Sequence, residues 1–289
     1  MNRKTKLLFS TAMALAVAVC TLLAAPARAA DKGRVELVYV EWTSAVASTN
    51  VVRAVLENLG YDVKTLPVSA AAMWQAVGSG DADGMVAAWL PTTHANYYRR
   101  VKNKVVDLGP NLTGTRIGLA VPDYVDIDSI PQLKAHADKF DRKIIGIDPG
   151  AGIMSKTEEA IKDYGLYKYH LVEGSGATMT AALGDAIRNH RWIVVTGWTP
   201  HWMFSRWKLK YLKDPKGVYG GTERIDTVVR KGLKKDMPEV YRVLDRFHWS
   251  IANMQQLMNW NEKRNSDPYQ NAKRWVKEHP KLVKSWTGQ

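Results

Sequence analysis

Short runs of β-branched and aromatic residues alternate along the chain with longer stretches whose apolar residues recur at helical spacing. RVELVYVEW (34–42) is the first β-rich run. SAVASTNVVRAVLENLG (44–60) follows at helical period and stops at Gly60. YDVKTLPV (61–68) predicts a strand, AAAMWQAVGSGDAD (70–83) a short helix and turn, and GMVAAWL (84–90) a third strand. The alternation restarts at RIGLAVPDYV (116–125), a strand, followed by helical IPQLKAHADKF (130–140). The strands KIIGIDPG (143–150), YHLVEGS (169–175) and WIVVTGW (192–198) come next, separated by helical GIMSKTEEAIKDYG (152–165) and ATMTAALGDAIRNH (177–190). ERIDTVVRKGL (223–233) reads as a strand entering a helix, and the remaining C-terminal part as helical, with Trp249, Trp260, Trp275 and Trp286 spaced along it. Strands alternating with helices predict parallel β-α-β units. Two such successive runs predict an α/β protein of two lobes.

Three of the strands end alike. YVEWTSAVAST (39–49), MVAAWLPTTH (85–94) and IVVTGWTPHW (193–202) each run from apolar residues into a Trp and then into hydroxyl or turn residues. In open α/β sheets ligands bind beyond the carboxyl ends of strands. Trp42, Trp89 and Trp198 are therefore candidates for one binding site, although a single Trp is more often a core residue. Indole faces attract a cation through the ring quadrupole and also cover its apolar surface. Three of them suit a quaternary ammonium, whose charge is wrapped in methyl groups and which has no hydrogen to donate. The stretch GIDPGAGIMS (146–155) runs from a strand through a Gly-rich turn into a helix, so its free amides offer an anion site. It lacks the GK[ST] of a Walker A loop. His94 stands open between a solvated loop histidine and a further donor to the same anion.

The first 29 residues are set apart. A basic MNRKTK, an apolar LLFSTAMALAVAVCTLLAA and small residues at Ala27 and Ala29 form a secretory signal peptide cut after Ala29. Cys20, the only cysteine, follows Val19 inside the apolar run, which argues against a lipid anchor there. The mature chain then has no disulfide and no thiolate metal site. No segment after the leader has 18 consecutive apolar residues, as a span would need. The formal charge is +13, and removal of Arg3, Lys4, Lys6 and Arg28 with the leader leaves +9. Those cations are scattered among acids, as in VRKGLKKDMPEVYRVLDR (229–246), which suits a solvated surface better than a nucleic-acid stripe.

The segments YVEWTSAVASTNVV, AWLPTTH, GIDPGAGIMS, TGWTPHWMF and LKYLKDPKGVYG closely resemble the glycine betaine-binding proteins of osmoprotective ABC transporters, over nearly the whole mature chain. The resemblance implies a two-lobe periplasmic binding protein fold (type II) with the ligand in the inter-lobe cleft. Here residues 30–115 and 225–289 would form one lobe and 116–224 the other. It also implies that Trp42, Trp89 and Trp198 enclose the trimethylammonium, and that the amides of Gly152 and Ile153 with His94 hold the carboxylate. Choline-binding relatives carry Asp where this chain has Ser44, which favours a carboxylate ligand; proline betaine and carnitine remain open. The implied partners are a membrane permease and its cytoplasmic ATPase, with a periplasmic, monomeric receptor and no metal or cofactor. A signalling partner with the same ligand would leave the same sequence.

A secreted choline-ester hydrolase is the rival from another class. It would need a nucleophile with a base and an orienting acid, and GSGAT (174–178) is not a G-x-S-x-G elbow. Neither His201 nor His248 has a second ligand at metal spacing. Trp202, Trp207 and Trp249 are expected to be packing residues, and Met85 and Met154 core. Strand alternation turns Glu41 away from the site. Asp148 is expected to cap the turn before the helix.

Overall fold

The computed structural model describes residues 32–288. The signal peptide expected at residues 1–29, and Cys20 within it, lie outside the described residues.

Nine strands carry the fold: β1 (Arg34–Tyr39), β2 (Asp62–Pro67), β3 (Gly84–Leu90), β4 (Val105–Pro122), β5 (Lys143–Ile145), β6 (His170–Val172), β7 (Val195–Thr199), β8 (Leu209–Tyr211) and β9 (Glu223–Arg230). Their order is β2-β1-β3-β9-β4-β7-β5-β6, with β8 on β4. β1 pairs in parallel with β2 (Arg34 opposite Asp62) and with β3 (Leu37 opposite Gly84), and β5 pairs in parallel with β6 and β7. These are the β-α-β units of the sequence reading.

The expectation of parallel units alone is corrected at the centre. β9 runs antiparallel to both β3 and β4, and β4 antiparallel to β7 and β8. The reason lies in β4, which is far longer than the strand expected at 116–125. It begins at Val105 and changes partner midway: Thr115 lies opposite Glu223 of β9, whereas Arg116 lies opposite Thr199 of β7. The chain passes from one sheet to the other along β4 and comes back along β9, so the two run side by side in opposite directions. The stretch Ile130–Phe140 is a 3-10 helix rather than an α-helix, broken at His136 (φ −118°).

Burial explains the local choices. All seven residues of β3 are buried, as expected of a strand covered on both faces. The helix Thr43–Asn58 buries ten of its residues, mostly Ala, Ser and Val, because it lies between the strands and the C-terminal helix Pro268–Glu278. Trp249, Trp275 and Trp286 pack on one another at centroid separations of 5.6 and 6.3 Å, with Trp275 Nε1 donating to Gln256 and Trp286 Nε1 to the His248 carbonyl. Met85 and Met154 are buried, as are Trp202 and Trp249. Among the described residues no helix is long and apolar enough to cross a membrane, and no group of three His, Cys, Asp or Glu is arranged to hold a metal.

Candidate functional site

The six residues singled out on sequence line one cavity: Trp42, Trp89, Trp198, His94, Gly152 and Ile153. Ser44, Thr93, Ile117, Ile147 and Ala151 complete its wall. Each position follows from the chain around it. Trp42 stands in extended conformation (φ −77°, ψ 140°) just before the helix Thr43–Asn58. Trp89 is the penultimate residue of β3, opposite Ile225 of β9. Trp198 sits near the end of β7, opposite Ile117 of β4. The last two are each followed by one residue and a cis-proline, Pro91 and Pro200. All three indoles are at most 7% exposed, so a cation between them would be stripped of water, the condition in which a ring face attracts it most strongly.

The same cavity is reached by the start of a helix and by His94. The helix Gly152–Asp163 begins after Ala151, which offers no side-chain cap, so its first amides are left for another acceptor. Only glycine fits at its first position: a Cβ on Gly152 would lie 2.0 Å from the Thr93 carbonyl oxygen. That contact brings the helix start against the loop carrying His94. Tyr97 Oη adds a tie to the same turn, donating to the Gly150 carbonyl at 2.7 Å.

His94 is wholly buried and wired by its own loop. Its amide donates to the Trp89 carbonyl at 2.9 Å, and its Nδ1 accepts from the Trp89 amide at 3.1 Å. An Nδ1 that accepts leaves the proton of the neutral ring on Nε2. Nε2 has no hydrogen-bond partner among the described residues. Burial pushes the imidazole pKa down from 6.5 to about 3, so near neutrality the ring is an uncharged donor. Such a group is suited to a carboxylate that arrives with its own charge.

Two further residues shape the site, one unmarked in the sequence and one read there only as a cap. Glu223, at the start of β9 and 2% exposed, accepts from the Thr92 and Thr93 amides at 2.7 Å each and from the Thr93 hydroxyl. It fixes the loop between Trp89 and His94. Asp148 differs from the expected cap. The turn is closed by its main-chain carbonyl, which accepts from the Ala151 amide at 3.0 Å, while its carboxylate accepts the Trp42 indole N–H at 3.1 and 3.2 Å. Glu41 is exposed and lines a neighbouring pocket rather than this cavity. That pocket also holds His201, Trp202 and Trp207.

Comparison with known proteins bears on this geometry. Residues 33–278 match the family described as the substrate binding domain of the ABC-type glycine betaine transport system. A glycine betaine/carnitine transport binding protein of Listeria monocytogenes is 49% identical over 152 residues, which are 52% of this chain and 50% of that protein. The chain thus matches about half the length of that relative. A lactococcal OpuAC, solved in its closed form with glycine betaine, is 46% identical with a TM-score of 0.84, over 89% of this chain and 100% of that one. An ABC-transporter choline-binding protein solved with choline is 28% identical with a TM-score of 0.83, over 88% of this chain and 91% of that one. The fold is accordingly that of the type II periplasmic binding proteins, two α/β lobes with a ligand cleft, and the hydrolase alternative falls away. This chain belongs to the family of substrate-binding domains of ABC-type glycine betaine transport systems.

Proposed function

We propose that this protein is the extracytoplasmic glycine betaine receptor of an ABC importer. In this reading Trp42, Trp89 and Trp198 enclose the trimethylammonium, and the Gly152 and Ile153 amides with His94 Nε2 hold the carboxylate. One observation carries it: indole faces and unpartnered donors line the same cavity, so a zwitterion with a short spacer meets both ends at once. The protein is exported by its leader, cut after Ala29, and hands the ligand as a monomer to a permease driven by a cytoplasmic ATPase. Residues 30–115 and 225–289 form one lobe and 116–224 the other, a division supported by the change of partner at Thr115 and Arg116 in β4. Closure is a population shift, since only the closed form offers both sets of contacts to one ligand.

A choline receptor is the second reading. Ser44 lines the cavity and brings no charge to it, so nothing in that wall favours an alcohol over a carboxylate. Calorimetric titration of the mature protein with glycine betaine, and with choline in parallel, decides between them. The expected result is one-to-one betaine binding with choline weaker by at least about tenfold, a difference of ~1.4 kcal/mol. The reverse order would assign the protein to choline. Binding of neither would overturn the small-betaine reading and turn attention to proline betaine and carnitine.

A further inference from the structure

We propose that Asp148 is a positioning residue of the cation site: its carboxylate holds the Trp42 indole from behind and sets the preference of the cavity for a cationic over a neutral head group. The proposal rests on the function proposed above and adds to it a determinant that lies outside the cavity wall.

The geometry supplies the first part. Both carboxylate oxygens lie within 3.2 Å of Trp42 Nε1, although the two residues are 106 positions apart. Trp42 follows β1 in one sheet and Asp148 follows β5 in the other, so the bond spans the junction of the two sheets. It is one of three ties gathered on residues 148–152, beside Tyr97 Oη on the Gly150 carbonyl and the close approach of Gly152 to Thr93. An indole can otherwise turn about its side-chain torsions. A carboxylate at its only N–H fixes which face is presented to the cavity.

The second part is electrostatic. A carboxylate accepting the indole N–H polarises the ring and adds to the electron density that a cation feels over its face. Its formal charge also attracts a cation through a medium of lower dielectric than water. A neutral head group of the same shape gains neither effect. Partial burial raises the Asp148 pKa above its ordinary value, and the Trp42 hydrogen bond offsets only part of that rise.

The test uses two probes, glycine betaine and tert-butylacetate, a carboxylate of the same shape whose quaternary carbon replaces the nitrogen. Each is titrated calorimetrically into the wild type, Asp148→Asn and Asp148→Ala, with near-ultraviolet circular dichroism to confirm folding. Asp148→Asn keeps an acceptor oxygen and the side-chain volume while removing the charge. It is expected to weaken betaine about tenfold and tert-butylacetate less than about twofold, so that the preference for the cation contracts. Asp148→Ala also frees the indole and is expected to weaken both ligands. In a Trp42→Phe background, which lacks the N–H, Asp148→Asn should cost betaine clearly less than in the wild type, the part carried through the indole being absent and the direct attraction of the charge remaining, as a double-mutant cycle requires of a coupled pair. Equal losses for the two probes in Asp148→Asn, or no loss for either, would overturn the proposal and leave the betaine reading standing. Failure of the wild type to bind betaine would overturn that reading and this one together.

Discussion

Two loops of this protein are built alike, yet the proposed site uses only one of them. In Trp89–His94 and in Trp198–His201 a Trp near a strand end is followed by one residue, a cis-proline and a buried histidine, which comes two threonines later in the first and at once in the second. Each histidine accepts a backbone amide on Nδ1, His94 from Trp89 at 3.1 Å and His201 from Met203 at 3.0 Å. Each leaves Nε2 without a partner, and burial lowers both pKa values to about 3. The surroundings differ. His94 shares its cavity with the start of the helix Gly152–Asp163. His201 sets its ring edge-on to Trp198 at 4.5 Å and lines a neighbouring pocket together with Arg206 and Glu262. Local wiring fixes the tautomer and charge of a histidine. Convergence with other donors decides whether it can bind a ligand.

The strongest test of that contrast is at the two helix starts. Gly152→Ala would put a methyl 2.0 Å from the Thr93 carbonyl oxygen, so the helix start and the His94 loop must separate. Betaine affinity is expected to fall about 100-fold or more, because overpacking costs ~1–3 kcal/mol even where side chains can yield and here the clash is with backbone. Gly176→Ala, at the start of the helix Gly176–Arg188 beside the other pocket, meets nothing nearer than a Trp198 ring carbon at 4.0 Å. It is expected to change affinity less than about threefold, as surface-like substitutions do. Calorimetry on both variants reads the difference, and equal losses would break the contrast.

The histidines themselves come next. Asn in place of His keeps an acceptor near the Nδ1 position and removes the Nε2 donor. His94→Asn is expected to weaken betaine binding by about 10- to 100-fold, since a hydrogen bond to a charged group contributes ~1.5–3 kcal/mol. His201→Asn is expected to have an effect within about threefold, as befits a residue outside the site. A loss in His201→Asn as large as in His94→Asn would show that the second loop also acts on the ligand.

The same pair makes a pH prediction in which the two residues behave alike. Each folded-state pKa lies below the value of 6.5 and near 3, so the unfolded chain binds more protons in that window. Their contribution to stability is therefore complete above pH 6.5 and is lost progressively as pH falls toward 3. Urea midpoints measured from pH 7 downward should fall more gently in either Asn variant, by up to ~1.4 kcal/mol per pH unit for the one proton removed. Betaine should separate them: a bound carboxylate favours the protonated form of His94 and leaves His201 unchanged, which a histidine NMR titration would resolve.

The contrast also shows what the sequence could reveal. The Trp positions and the Gly-rich turn were legible because strand ends and helix starts are local events, marked by alternation and by glycine. Their convergence on one cavity follows from the α/β pattern alone. Glu223 was not legible, because its partners Thr92 and Thr93 lie 131 and 130 residues away and an acid at a strand start resembles any solvated charge. Asp148 was read as a local cap for the same reason: its true partner, Trp42, is distant in the chain. The antiparallel centre was hidden because β9 carries no sign of which strands flank it. His201 shows the limit of a local reading, since its loop shares a Trp, a proline and a histidine with that of His94, and only the tertiary surroundings show which histidine meets the other donors.

Ser44 gives the smallest expected effect and the sharpest limit on the comparison. Its hydroxyl lines the same cavity as His94, is buried, and also has no partner. Being unpartnered is therefore not enough to mark a ligand group. The difference lies in which hydrogen-bonding role each has left. His94 has its Nδ1 tied and only a donor left, which fits an anion, whereas a hydroxyl is free to turn and serves donor or acceptor equally. Ser44→Ala is accordingly expected to change betaine affinity by less than about twofold and to leave stability equal or higher, because an unsatisfied buried hydroxyl costs ~1–3 kcal/mol that alanine does not incur. Calorimetry and a thermal melt on this variant would check both. A large loss of betaine affinity would place Ser44 among the carboxylate donors, and unpartnered burial alone would then have been a sufficient guide to the site.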